Sequence, residues 1–223
     1  MIKAFIFDFD GVIVDTETPE FNAWREVYGK FHQVLPLSEW QKALGTSRDD
    51  FDPAVYLEKL VGHSIDRKKA EHDQRVISLS QISRLKPLPG VENLIVSACQ
   101  KRIRLAIASN SSSDWVWCNL ARLDLARYFE TICTGDEVHT VKPDPALYLL
   151  ALKELGITAE EAIVFEDSPF GITAAQNAGI FCVAIPNRIS GQLDIDHADL
   201  VVNSLEEITI EGLLEKTSQT IER

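Results

Sequence analysis

Two pairs of acids stand where apolar runs stop. Asp8 and Asp10 follow Phe5-Ile6-Phe7, and Glu166-Asp167 follow Ile163-Val164-Phe165. The period-two geometry of a strand puts Asp8 and Asp10 on one side of the chain as it leaves a sheet. Carboxylates so close repel each other, so they want a cation between them or a shared proton. The competing reading of Phe7–Asp15 is a polar turn in which Gly11 supplies an unusual backbone angle, and the paired acids at a strand end outweigh it. Glu166 and Asp167 could likewise relieve the dipole of the helix that Ser168-Pro169 opens. Dipole relief does not explain why a second strand ends in a second acidic pair. Together Asp8, Asp10, Glu166 and Asp167 would make a hard, oxygen-rich site suited to Mg²⁺, which takes a few carboxylates plus water and substrate phosphate.

Two further segments add complementary groups. In Ala106-Ile107-Ala108-Ser109-Asn110-Ser111-Ser112 an apolar run passes into hydroxyls and an amide at the start of a helix. Such a place can cradle a phosphate, although simple helix capping explains it as well. In Val141-Lys142-Pro143-Asp144-Pro145, Asp144 and Pro145 suit a helix start, and Lys142 is held beside a stiff proline. Lys142 could offset charge on a carboxylate nucleophile and a phosphate, or be a solvated surface lysine. Each signal is modest alone. In sequence they describe phosphoryl transfer to an aspartate, with nucleophile, acid/base, phosphate cradle, counter-charge and metal.

The elements needed to position these groups are legible. Ile2–Phe7, Leu105–Ala108, Thr131–Cys133, Ile163–Phe165, Phe181–Ile185 and Leu200–Val202 read as strands, several apolar throughout. Amphipathic stretches Val91–Lys101, Trp115–Leu123, Pro145–Leu155 and Pro169–Ala178 alternate with them, which predicts a parallel sheet covered on both faces. Ligands in such sheets bind beyond the carboxyl ends of the strands, where the acids lie. From about Thr16 to Lys86 the pattern is helical, over Glu20–Phe31, Ser38–Leu44, Ala54–Val61 and Arg67–Leu85. Leu85-Lys86-Pro87-Leu88-Pro89-Gly90 closes this insertion.

Composition narrows the partners. The 223 residues carry a net charge of −12. That argues against a nucleic-acid or anionic membrane surface, both of which need clustered Lys and Arg. No run is long and apolar enough to span a membrane, and acids arrive too early after Met1 for a signal peptide. Cys99, Cys118, Cys133 and Cys182 lack metal-type spacing and are expected to be buried, reduced thiols in a cytoplasmic protein.

The motifs resemble those of the haloacid dehalogenase superfamily, in the branch of β-phosphoglucomutase and the small sugar-phosphate phosphatases, over nearly the whole chain. The resemblance implies an α/β fold, with a Rossmann-like parallel-sheet core at 1–15 and 87–223 and an inserted helical cap domain at 16–86. It implies Asp8 as the phosphorylated nucleophile, Asp10 as general acid/base, Ser109 as a phosphate-binding hydroxyl and Lys142 as the stabilising lysine. Asp8, the Asp10 carbonyl and Asp167 match the Mg²⁺ ligands, with Glu166 beside them. Gly45-Thr46-Ser47-Arg48 resembles the cap's specificity loop, so Thr46, Ser47 and Arg48 join Glu17, Ser109, Asn110 and Lys142 as expected substrate contacts. Where the mutase branch has a histidine this sequence has Glu20, and where it has a late cap lysine an ungapped count gives Ile77, with Arg75 nearby. These departures, with Asp15-Thr16-Glu17, favour a Mg²⁺-dependent phosphatase acting on a small phosphorylated metabolite, with a phosphosugar mutase as the alternative. Asp10 argues against a dehalogenase, and the long insertion against a receiver-type phospho-acceptor module, leaving a non-catalytic phosphosugar-binding relative as the remaining alternative. A monomer is the default expectation.

Overall fold

The computed structural model describes residues 1–43 and 51–221. Strand β1 (Ala4–Phe7) is followed by four helices, α1 (Glu17–Lys30), α2 (Leu37–Trp40), α3 (Pro53–Val61) and α4 (Arg67–Ile82). Helices and strands then alternate as α5 (Val91–Gln100), β2 (Arg104–Ser109), α6 (Ser113–Arg122), β3 (Thr131–Thr134), α7 (Ala146–Leu155), β4 (Ala162–Glu166), α8 (Pro169–Asn177) and β5 (Phe181–Ala184). Strand β6 (Leu200–Val201) and helix α9 (Ile210–Ile221) end the described chain. The strands form one parallel sheet in the order β3-β2-β1-β4-β5-β6. The chain builds outward from β1 through β2 to β3, then returns to β1's other side with β4. That reversal of strand order opens the crevice in which such sheets bind ligands.

Apolar runs serve as strands here because both faces of the sheet are covered. Phe5, Phe7, Ile163 and Phe165 point to one side, with α5, α6 and α9, while Ala4, Ile6, Ala162 and Val164 point to the other, with α7 and α8. Phe7 stacks on Phe165 at 4.7 Å between ring centroids, and Phe5 meets it edge-on at 5.3 Å. The bulky face thus locks β1 against β4, the two strands whose ends carry the acids.

The inserted helices have an apolar cluster of their own, built on Phe21, Trp24, Val27, Tyr28, Trp40, Ala54 and Leu57, with α1 lying against α4. Two expected helices are shorter than their periodicity suggests. The expected helix Ser38–Leu44 is one α-turn, α2, followed by a 3₁₀ turn at Gln41–Ala43, with Leu44 outside the described residues. Helix α4 stops at Ile82 rather than Leu85, before the proline-rich return. The thiols need a correction: Cys133 and Cys182 are buried, but Cys99 and Cys118 are exposed on α5 and α6. Amphipathic helices place one residue in two or three outward, and an apolar type does not override its phase. No helix among the described residues is long and apolar enough to cross a membrane.

Candidate active site

The carboxyl ends of β1, β2 and β4 meet below the inserted helices in a cleft of about 720 Å³. Its floor is an ion cluster. Lys142 comes from the loop before α7 and is 4% exposed, so it is no surface lysine. Its Nζ donates to Asp8 Oδ1 at 2.5 Å, to Glu166 Oε1 at 2.7 Å and to the Ala108 carbonyl at 2.7 Å. All three donor sites of the ammonium are therefore used. Asn110 clasps the lysine's backbone, accepting from Lys142 N at 2.9 Å.

Glu166 is fully buried, and both of its oxygens are engaged. Oε1 also accepts from the Tyr148 hydroxyl at 2.6 Å, while Oε2 accepts from Asp167 N at 3.0 Å and from Ser168 N and Oγ. The close packing continues into α8. A Cβ on Gly171 would stand 1.9 Å from the Glu166 carboxylate, so only glycine leaves room there.

Asp10 is braced by three donors: Thr16 Oγ1 at 2.6 Å, Trp115 Nε1 at 2.9 Å and Ser111 Oγ at 2.6 Å. Ser109 is buried at the end of β2 and accepts from Ser111 N at 3.1 Å. Ser112 does the capping, accepting from Trp115 N. The capping and cradle readings of this segment thus fall on different residues, since Ser109 and Asn110 line the cleft. Gly11 has a φ of +89°, which glycine adopts without strain, and a Cβ there would stand 2.4 Å from Asp167 Oδ2.

Asp8, Glu166 and Asp167 bring ligand atoms within 4.8 Å of one another, all buried. Burial raises the Asp8 pKa to about 8 against the pull of Lys142, with Glu166 and Asp10 adding to the rise. Burial, then Glu166 and Asp8, push Asp167 well above the ordinary carboxylate range. For Lys142 burial works downward, but Asp8 and Glu166 outweigh it and hold the ammonium above its usual value. Three buried carboxylates facing one ammonium fit a divalent cation, which would let Asp8 and Asp167 stay ionised. Asp10 does not join this group through its carboxylate, which Thr16, Ser111 and Trp115 occupy.

Around the rim stand Glu17 and Glu20 from α1, Trp24, Trp40, and Lys68, His72 and Arg75 from α4. Burial, followed by the charges of Glu20, Asp167, Asp10 and Asp15, raises the Glu17 pKa well above its ordinary value. Thr46, Ser47 and Arg48 lie outside the described residues. Sequence reading missed Thr16, Trp115 and Tyr148, which look like helix and core positions until the fold assembles. It also missed Asn187, whose Nδ2 donates to Asp167 Oδ2 at 2.6 Å. Asn187 does carry a signal, as a polar residue shortly past the end of another parallel strand.

A doubly wound α/β sheet with an insertion after its first strand, and acids gathered at the strand ends, is the architecture of a protein that binds a small ligand at the strand ends, with a cation site beside it. The sequence model of haloacid dehalogenase-like hydrolases matches residues 5–185, and the chain belongs to that family. Within it, the chain falls in the branch of β-phosphoglucomutase and the sugar-phosphate phosphatases. It is 40% identical to YhcW of Bacillus subtilis, over 96% of this chain and 97% of the relative. A phosphorylated carbohydrates phosphatase of Thermotoga maritima is 35% identical over 80% of this chain and 82% of its own. The crystal structure of a β-phosphoglucomutase from Clostridium difficile superposes with a TM-score of 0.79 at 26% identity, covering all of both chains.

Proposed function

We propose that this chain is a Mg²⁺-dependent phosphatase that hydrolyses a small phosphorylated metabolite, a sugar phosphate, through a phosphoaspartate on Asp8. The observation that carries the reading is the pairing of Asp8, locked by Lys142 on the cleft floor, with Asp10, braced two residues away and aimed into the same cleft. The related phosphorylated carbohydrates phosphatase supports the substrate class.

Asp8 attacks phosphorus with one carboxylate oxygen, and the ester P–O bond breaks. Asp10 gives its proton to the departing sugar oxygen, then takes one from the water that attacks the phosphoaspartate. Inorganic phosphate leaves and Asp8 is restored. Thr16, Ser111 and Trp115 hold the Asp10 carboxylate in one place for both transfers. Lys142 fixes Asp8 and offers positive charge beside it, while Ser109 and Asn110 supply donors for the phosphoryl oxygens. Asp8, Asp167 and the Asp10 carbonyl would hold Mg²⁺, with Glu166 beside them, and the ion when bound would offset the charge of the phosphoryl group. Residues 16–86 act as the cap over the substrate's non-reacting end, with Glu17, Thr46, Ser47 and Arg48 as its contacts.

The structural likeness to a β-phosphoglucomutase supports a second reading, in which a sugar hydroxyl takes the phosphoryl group in place of water. A mutase has to exclude water and time its acid/base with cap groups. Here the rim position occupied by a histidine in mutases is Glu20, an acid that accepts hydrogen bonds when ionised. Assays with Mg²⁺ on a panel of sugar phosphates separate the two. Inorganic phosphate is expected from a competent substrate, and β-glucose 1-phosphate primed with the 1,6-bisphosphate should give little glucose 6-phosphate. Glucose 6-phosphate forming much faster than free phosphate would establish the mutase. No phosphate release or transfer from any substrate would sink both readings.

A further inference from the structure

The loop after β5 ties the candidate metal ligand to the inserted helices. Its first link is the 2.6 Å hydrogen bond from Asn187 Nδ2 to Asp167 Oδ2. The amide cannot turn over. Asn187 Oδ1 accepts from Ile189 N at 2.8 Å and Ser190 N at 2.9 Å, so a reversed amide would set N–H against N–H there and oxygen against carboxylate at Asp167. The turn is closed further by Asn187 N donating to Ser190 Oγ at 3.1 Å and Gly191 N donating to the Asn187 carbonyl at 2.8 Å. Gly11 accommodates the pair, since a Cβ there would stand 2.8 Å from Asn187 Nδ2 as well as overlapping Asp167.

The second link runs the other way. Ile189 follows in a core loop, yet it is 2% exposed and belongs to the apolar cluster of the inserted helices, which also holds Trp40 and Phe21. Its carbonyl accepts from Gln41 Nε2 at 2.8 Å. The backbone amide of this anchored residue is one of the two that orient the Asn187 side chain. Asp167 repels two buried carboxylates, and the Asn187 amide, with the Ser190 side chain beside it, holds the carboxylate in one rotamer against them.

We propose that Asn187 is a positioning residue for Asp167, and that Ile189 makes this positioning depend on the inserted helices being docked on the core. The proposal rests on the reading of Asp167 as a cation ligand. Docking of the helices and readiness of the cation site would then be one event, so that an undocked cap leaves a weaker site.

The test is calorimetric titration of the intact, phosphate-free protein with Mg²⁺, alongside the Mg²⁺ concentration giving half-maximal phosphate release. Asn187→Ser keeps a hydroxyl acceptor for the turn but cannot reach Asp167. It should weaken Mg²⁺ binding roughly 10–100-fold. Turnover at saturating Mg²⁺ should stay within about threefold of wild type, because Asp8 and Asp10 are untouched. Ile189→Ala and Gln41→Ala should weaken Mg²⁺ binding by smaller factors, Ile189→Ala more. Gln41→Ala removes one half-buried hydrogen bond and reads the arm even if a loop variant does not fold. Leu94→Ala, in the apolar layer between α5 and the sheet, should lower Tm without moving Mg²⁺ affinity. Wild-type affinity in folded Asn187→Ser would overturn the positioning role, and wild-type affinity in both Ile189→Ala and Gln41→Ala would overturn the dependence on docking. A Leu94→Ala protein that loses affinity equally would reduce both to general destabilisation. Asp167→Asn checks the underlying reading separately: if it binds Mg²⁺ like wild type, the assignment of Asp167 fails, whatever Asn187 does.

Discussion

Asp8 shares a single ammonium with Glu166, and replacing it with asparagine separates charge from shape. The amide keeps a carbonyl oxygen for Lys142 to donate to, so the buried cluster stays satisfied. What disappears is the anionic oxygen that the proposed reaction requires for attack on phosphorus. Asp8→Asn should lower phosphate release by roughly 10³-fold or more while Tm stays within a few degrees. Turnover near wild type would exclude Asp8 as the nucleophile. Glu17 gives a second expectation, in stability rather than rate. Its carboxyl is raised in the folded chain by burial and by Glu20, Asp167, Asp10 and Asp15. A folded pKa above the unfolded one means the stabilisation is present below the unfolded value and is lost as pH climbs through the folded one. Glu17→Gln should therefore raise Tm at pH 7–8 in EDTA, with the gain shrinking to nothing near pH 4. Equal gains at both pH values would mean packing, not charge, is responsible.

At the scale of elements, α8 reverses an ordinary rule. Alanine is favoured over glycine in a helix interior by about 1 kcal/mol. Gly171 lies in α8, but its missing Cβ is the space that Glu166 fills. Gly171→Ala should thus destabilise, by about 1–3 kcal/mol as overpacking does, and lower activity by displacing Glu166 from Lys142. Urea denaturation would show it; a stabilised, fully active variant would refute the packing argument. The same helix shows what the sequence exposes and what it hides. Ile163-Val164-Phe165 read directly as a strand, because burial on two faces leaves an unbroken apolar run, and the acids after it stood out against that run. Ser168 and Pro169 announced α8 by local chemistry. The Gly171 contact, Tyr148 on Glu166 and Trp115 on Asp10 are long-range, and no local pattern distinguishes such a tyrosine or tryptophan from a core residue. Cys99 and Cys118 face outward because the phase of α5 and α6, not the apolar type of the residue, decides which positions are buried.

Across the whole molecule, stability is unevenly distributed between the sheet and the inserted helices. Strand β1 is the centre of the sheet, hydrogen-bonded to β2 on one side and β4 on the other, with all four residues fully buried under both helical layers. Helix α4 by contrast buries Ala70, Ser78 and Ile82 and turns most of its remaining length to solvent. Its apolar partners belong to a cluster separate from those flanking the sheet, joined to the core through Ile189, Leu193 and the chain crossings at Val14-Asp15 and Leu85–Gly90. Few buried contacts and many solvent-facing backbone hydrogen bonds are the marks of a unit that opens below the global unfolding free energy. Native-state hydrogen exchange should therefore find β1, β2 and β4 amides exchanging by global unfolding. Amides along α4, and those of α1 that face it, should exchange through a cheaper opening with a smaller dependence on denaturant. Such an opening would expose the cleft floor without disturbing the strand ends that hold Asp8, Ser109 and Glu166, as the proposed cap role requires. If α4 and β1 amides instead merge on one isotherm at every denaturant concentration, the helices and sheet unfold as a single unit. Substrate entry would then need a smaller movement than release of the helices from the core.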